Sequence, residues 1–337
     1  MKKTIIIGEA GVNHNGDILL AKKLIDVAAD AGVNYVKFQT FKASKLVSKD
    51  SVKASYQRIN TGNSTENQLQ MLQKLELTSS EHYELIAYCK LKNINFFSTA
   101  FDLDSLDFLK ELGFTLFKIP SGEITNLPYL KKVAKLACEI ILSTGMCTME
   151  EIAEAITVLK KNSKAKVTVL HCNTEYPTPF KDVNLLAMNE IKQKFNIDIG
   201  YSDHTLGIEV PIAAVALGAK VIEKHFTLDR NLPGPDHASS LEPQELKSMV
   251  TAIRNIEIAL GSAIKEPTPS EINNIIIARK SIHLAVDKLK GDTLREEDLE
   301  MLRPGDGISP MRMKDVIGKR VSKDLLAGHK LTLEDFT

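Results

Sequence analysis

A (β/α)8 TIM barrel followed by a small β-rich module is the fold that this 337-residue sequence predicts, and three observations carry it. Eight short runs rich in β-branched residues recur along the first two thirds of the chain. Segments with helical hydrophobic spacing lie between them. After Gly261 both patterns give way to short strands and Gly-containing turns. Strand then helix, repeated eight times in about 260 residues, has the size and rhythm of a barrel. A doubly wound open sheet shares the alternation, but its first turn usually carries G-x-G-x-x-G. The turn Gly8-Glu9-Ala10-Gly11 lacks that spacing.

In order, the strands read TIIIGEAG, YVKFQTF, FFSTAF, LFKIPSGE, EIILSTG, VTVLHCN, IDIGYSDH and KVIEKHFT. The first helix is expected after Asp17 as N-cap, with Leu20, Leu24, Val27 and Ala28 on one face and Gly32 as its stop. The stripe Leu246, Met249, Val250, Ile253 and Leu260, opened by Glu242 and Pro243 and closed by Gly261, predicts a final outer helix. One interval breaks the rhythm. From Phe41 to Thr78 the chain makes a long polar excursion, the kind of insertion that serves as a lid or substrate loop. Residues 1–262 are therefore assigned to the barrel, 263–280, containing KEPTPSE, to a linker, and 281–337 to the small module with turns at Lys290-Gly291-Asp292 and Ala327-Gly328-His329. So short a module has a marginal core and is expected to pack on the barrel of its own or a neighbouring subunit.

Lys plus Arg number 43 and Asp plus Glu 43, so there is no global field to draw the chain onto nucleic acid or an anionic membrane. Any anion has to be held by a local site. Cys89, Cys138, Cys147 and Cys172 include no C-x-x-C pair, which suits a reducing, cytoplasmic setting. Glu9 interrupts the N-terminal apolar stretch before it could form a signal-peptide core. The weakly polar run from Val210 to Ala219 is too short to span a bilayer.

In a parallel barrel the C-terminal strand ends converge on one face, and here they are crowded with polar residues. They deliver Glu9, with Asn13 and His14 beyond; Lys37 and Gln39; Ser98 and Thr99; Lys118, Ser121 and Glu123; Ser143 and Thr144; His171, Asn173 and Tyr176; Ser202, Asp203 and His204; and Glu223, Lys224 and His225. Burying so many polar groups costs free energy unless they pair with one another or with a ligand. Lys37 and Lys118 each sit inside an apolar strand, where either could be neutralised by a carboxylate such as Glu9 or Glu123. Together, with Ser121, Ser143 and Ser202 as further donors, they suggest a clamp for a phosphate or carboxylate. His204 and His225, at matching depth on adjacent strands, could form part of an octahedral site for a hard divalent ion, Mn2+ or Mg2+. Cys172 reads as core packing, and His14 and His237 as solvated loop residues.

The motifs GEAGVNHNG, VKFQTF, KIPSGE, LSTGM, HCNTEYPTP, YSDHT, EKHFT and GPDHASS, in that order, closely resemble the sialic acid (N-acetylneuraminate) synthases. The final module, with RPGDGISP, resembles their antifreeze-like (SAF) domain. That resemblance implies condensation of phosphoenolpyruvate with the open-chain aldehyde of an N-acetylmannosamine-type sugar, giving a nine-carbon keto acid and phosphate. It implies that His204 and His225 bind the metal and that Lys37, Lys118, Ser121, Ser143 and Ser202 hold phosphoenolpyruvate. Glu9 or Glu223 would stabilise charge at C2 or orient water. Gln39, Tyr176 and Asp236 would contact the sugar, and Arg303 would reach its N-acetyl group from the other chain of a domain-swapped homodimer. Some members read H-C-T-N-x-Y-P where this chain has His171-Cys172-Asn173-Thr174-Glu175-Tyr176-Pro177, so the phosphoenolpyruvate contact falls to Asn173 or Thr174. The same pattern serves N-acetylneuraminate and, as the alternative, N,N'-diacetyllegionaminate from 2,4-diacetamido-2,4,6-trideoxymannose. The contacts that discriminate them are expected in the excursion, with Tyr56 and Gln57 as candidates. A more distant alternative is a pyruvate aldolase, metal-dependent or using Lys118 as a Schiff-base lysine.

Overall fold

The computed structural model describes residues 3–62 and 65–337. Met1 and Lys2 of the N-terminal stretch, and Asn63 and Ser64 of the excursion, lie outside them. The chain divides into two compact units, Met1–Gly261 and Ser262–Thr337.

The first unit is a nearly closed parallel barrel. Its strands are β1 (Ile5–Gly11), β2 (Tyr35–Thr40), β3 (Asn95–Ala100), β4 (Leu116–Ile119), β5 (Glu139–Ser143), β6 (Lys166–Cys172), β7 (Asp198–Asp203) and β8 (Val221–His225). Hydrogen-bonded neighbours run β3-β2-β1-β8-β7-β6-β5-β4, and β3 and β4 approach at the remaining seam. All eight predicted runs are strands. The barrel holds two apolar layers because β-strand side chains alternate. Ile7, Phe97, Ile141, Leu170 and Val221 fill its interior floor, while Ile6, Phe38, Phe96, Ile140, Val169 and Ile222 belong to the larger core that includes the helices.

Local chemistry sets the element ends. In α1 (Ile18–Ala31), Asp17 Oδ1 accepts from Leu19 N–H at 2.7 Å, and Gly32 at φ 79° takes the left-handed C-cap that a side chain would strain. The last barrel helix, Pro243–Ala259, starts after Glu242 with Pro at its first position and buries Leu246, Met249, Val250 and Ile253. The excursion is not an irregular loop. It folds into α2 (Ala43–Leu46), α3 (Ser55–Thr61) and α4 (Gln68–Gln73), the last capped by Asn67 through Gln70 N–H at 2.9 Å.

The second unit opens with a further helix, Pro269–Ala278, inside the stretch expected to be a linker. Its T-P-S-E start explains it: Thr268 caps, Pro269 takes the first position, and Glu271 returns to Thr268 N–H at 2.9 Å. Beyond it, β9 (Ser281–Leu284) and β10 (Leu299–Leu302) pair antiparallel. Ile282, Leu284, Leu294, Ile308, Val316, Val321, Leu325 and Leu331 form a core of the unit's own. Among the described residues no helix is long and apolar enough to cross a membrane.

Candidate active site

Alternation along the strands decides which polar side chains enter the barrel mouth. Glu9, Lys37, Gln39, Thr99, Lys118, Ser143, Ser202, Glu223 and His225 line one cavity of about 180 Å³, joined from the loops by Ser121, Met146, Thr174, Tyr176 and His204. Their strand neighbours face outward. Ser98 Oγ meets Thr40 Oγ1 at 2.6 Å, and Lys224 pairs with Asp203 at 2.5 Å behind the wall.

At the centre two lysines interlock with two carboxylates. Lys118 Nζ lies 2.8 and 2.9 Å from the two oxygens of Glu223. Lys37 Nζ lies 2.7 Å from Glu9 Oε2, 3.7 Å from Glu223 Oε2 and 2.9 Å from Thr99 Oγ1. Ser202 Oγ donates to Glu223 Oε1 at 3.1 Å. The lysine partners are thus Glu9 and Glu223. Glu123, the other carboxylate considered, bonds Asn126 at 2.6 Å instead. Burial works against the Glu223 anion, but Lys118 and Lys37 outweigh it and hold the carboxyl well below the usual range. Burial pushes Glu9 up to about 7 against the pull of Lys37, with the Glu223 charge adding to the rise. All four groups face the cavity, where a ligand can reach them, unlike the closed pair of Lys224 and Asp203.

Ser143 Oγ is buried in this cavity with no hydrogen-bond partner among the described residues. Ser121 Oγ accepts from Gly145 N–H at 2.9 Å and lies 3.3 Å from Cys172 Sγ. Cys172 is buried as expected, yet it also lines the cavity.

His204 Nδ1 donates to the Asn173 carbonyl at 2.5 Å, and a carbonyl can only accept, so the lone pair lies on Nε2. His225 Nδ1 is buried without a hydrogen-bond partner, 4.0 Å from Asp236 Oδ2. The rings are 5.4 Å apart. Burial lowers His204 to about 4 and His225 well below its ordinary value, so both are neutral, the form that binds metal. Two neutral imidazoles are a donor pair compatible with a divalent ion, while no group of three or more His, Cys, Asp and Glu suited to a metal occurs among the described residues.

Three of the expected residues do not line the cavity. Asn173 turns its amide to Asp182 O at 2.8 Å, while its neighbour Thr174 is at the wall. Asp236 Oδ2 lies 4.0 Å from His225 Nδ1, its carboxyl pushed up to about 6 by burial against the opposing charge of Lys37. Arg303 belongs to the second unit and donates from Nε to Ala278 O at 3.0 Å. The reading of His14 and His237 as solvated was wrong, since both are fully buried. The loops after β1 and β8 lock together there: His237 Nε2 meets Asn15 Oδ1 at 3.1 Å and Asn13 Nδ2 donates to Ser240 Oγ at 3.0 Å. Thr174, the open alternative to Asn173, is the one of that pair at the wall, and Met146 is a wall residue that sequence reasoning missed. The sequence offers Thr99 only beside Ser98, with no role assigned. The pleat shared with Gln39, its register partner, is the signal that could have chosen Thr99 over Ser98.

Residues 24–265 match the NeuB family and residues 279–337 the SAF domain. The N,N'-diacetyllegionaminic acid synthase of Campylobacter jejuni is 58% identical over 96% of this chain and 97% of its own. The enzyme of the same name from Legionella pneumophila is 48% identical over 98% of this chain and 93% of its own. Among solved structures, an N-acetylneuraminic acid synthetase from Leptospira borgpetersenii superposes with a TM-score of 0.72 at 38% identity, covering 81% of this chain and 90% of that one.

Proposed function

The chain belongs to the NeuB family, and from that premise we infer that it makes N,N'-diacetyllegionaminic acid, condensing phosphoenolpyruvate with open-chain 2,4-diacetamido-2,4,6-trideoxymannose and water and releasing phosphate. The observation that carries this is the 58% identity, along nearly the full length, to an enzyme of that name. Identity to the N-acetylneuraminic acid synthetase is 38%, so the legionaminate alternative is better supported than N-acetylneuraminate as product.

In this reading C3 of phosphoenolpyruvate forms the new bond to the aldehyde carbon, positive charge develops at C2, water adds there, and the C2–O bond to phosphate breaks to leave the ketone. Lys37 and Lys118, with Ser121, Ser143 and Ser202, hold the phosphate and carboxylate. Ser143 supports this with a buried hydroxyl that has no hydrogen-bond partner. Thr174 takes the position at the wall that Asn173 leaves. Glu223, bonded by Lys118 and Ser202, is held as an anion facing the charge at C2. Glu9 Oε2 accepts no hydrogen bond beyond its ion pair with Lys37, and it orients the water. Held by His204 and His225, Mn2+ or Mg2+ would supply Lewis-acid polarisation of the aldehyde oxygen. Gln39, Tyr176 and Asp236 contact the sugar, and Arg303 reaches it from the second subunit of a domain-swapped homodimer. The described cysteines are free, which suits a cytoplasmic location.

Phosphate release tests the reaction class: it should require phosphoenolpyruvate, the aminosugar and the metal together. Borohydride trapping of a pyruvate adduct on Lys118 would instead support an aldolase.

A further inference from the structure

The aromatic side chains at the mouth form a continuous run. Tyr176 lies 4.2 Å, ring to ring, from His204 and meets His225 edge-on at 5.9 Å. On Tyr176 stacks Tyr56, 5.0 Å away and inclined by 28°, which comes from α3 in the long excursion. Tyr56 is therefore the outer member of a series that starts at the two imidazoles.

Its position is fixed from several sides. Asn60 Nδ2 donates to Pro235 O at 2.7 Å, tying α3 to the segment that carries Asp236. Lys53, buried below α3, donates to Thr61 Oγ1 at 3.0 Å and pairs with Glu66 at 3.3 Å, and Glu66 pairs with Lys74 at 2.7 Å. Burial and the nearby Asp236 charge push the Tyr56 phenol up against the pull of Gln57, so it stays a neutral hydroxyl. The ring, stacked on Tyr176, is the apolar surface that Tyr56 brings to the run.

We propose that Tyr56 is a specificity-determining residue, whose ring selects a sugar carrying apolar groups at the end remote from the aldehyde. This rests on the functional reading above, which places the aldehyde at His204 and His225. The remote carbons then run outward along Tyr176 to Tyr56. An acetamido methyl at C4 and a methyl at C6 pack on that surface. A hydroxymethyl group there loses water without gaining a partner.

The test compares kcat/KM for 2,4-diacetamido-2,4,6-trideoxymannose and N-acetylmannosamine, with phosphoenolpyruvate and Mn2+, in the full chain and three variants. Tyr56→Ala is expected to lower kcat/KM for the diacetamido sugar about 10- to 200-fold and to change that for N-acetylmannosamine by less than about threefold. Tyr56→Phe, which keeps the ring, should hold the ratio within about threefold of the parent. Tyr56→Gln keeps helix propensity but removes the apolar face, and should shift preference in the same direction as Tyr56→Ala. An equal fall for both sugars in the Ala and Gln variants would reduce Tyr56 to a structural role and overturn the proposal. So would an unchanged ratio, or a Phe variant behaving like Ala. Absence of phosphate release from the parent chain with either sugar would instead bring down the functional reading itself, and this one with it.

Discussion

Lys224 offers a severe test of how the site is built. It lies between Glu223 and His225 on β8, so alternation points it away from the cavity while its two neighbours point in. Behind the wall its Nζ is 2.5 Å from Asp203 Oδ2 and 2.5 Å from Thr205 O, and both side chains of the pair are 0% exposed. Lys224→Met would leave a buried carboxylate whose remaining donors are Thr205 N–H at 3.0 Å and Thr205 Oγ1 at 3.1 Å. Breaking a buried pair from one side costs about 3–5 kcal/mol, and those two donors put this case near the lower end, at about 3 kcal/mol. At about 2–4 °C per kcal/mol for a unit of this size, melting should fall by about 6–12 °C. Asp203→Leu combined with Lys224→Met removes both charges and should recover to within about 1.5 kcal/mol of the parent. The assay is urea unfolding of the full chain followed by far-UV circular dichroism. A single variant within about 1 kcal/mol of the parent, or a double variant as weak as the sum of the singles, would refute the reasoning.

Three further outcomes are expected. A Cβ on Gly145 would stand 2.6 Å from Thr174 Cγ2 and 3.0 Å from Ser121 Oγ, so Gly145→Ala should displace both and lower kcat/KM for phosphoenolpyruvate at least about tenfold; unchanged kinetics would remove these groups from the phosphoenolpyruvate site. In the second unit, burial would raise Asp335, but bonds from His329 at 3.0 Å, Lys323 at 2.9 Å and Thr332 N–H at 2.8 Å bring it down to about 2. Its folded value is depressed, so its stabilisation is present above the ordinary carboxylate range and lost as pH falls toward about 2; Asp335→Asn should flatten that acid limb in a pH series of melts, and an unaltered limb would count against the pairing. The proposed domain swap predicts that mixing Arg303→Ala subunits with His204→Ala subunits restores part of the activity, and no recovery at any ratio would contradict it.

The barrel was legible because its signals are local. Each strand is a β-branched run, α1 is bounded by Asp17 and Gly32, and alternation carries Glu9, Lys37, Lys118, Ser143, Ser202 and Glu223 to one mouth. What escaped depends on contacts between distant segments. His14 and His237 sit in loops that look solvated, and only the closure of the β1 loop on the β8 loop, seen in Asn15 meeting His237, buries them. Lys118's choice of Glu223 over Glu123 likewise needs the closed barrel, since Lys118 and Glu223 lie on opposite sides of it. The Pro269–Ala278 helix was local and still missed, because its prolines suggest a linker while Thr268, Pro269 and Glu271 spell a helix start.

The most direct measurement is mass spectrometry of the product formed from phosphoenolpyruvate, Mn2+ and each candidate aminosugar supplied alone. The account predicts the nine-carbon keto acid of N,N'-diacetyllegionaminic acid from 2,4-diacetamido-2,4,6-trideoxymannose, with phosphate released in equal amount. Preferential formation of N-acetylneuraminate from N-acetylmannosamine, or no phosphoenolpyruvate-dependent product from either sugar, would contradict it.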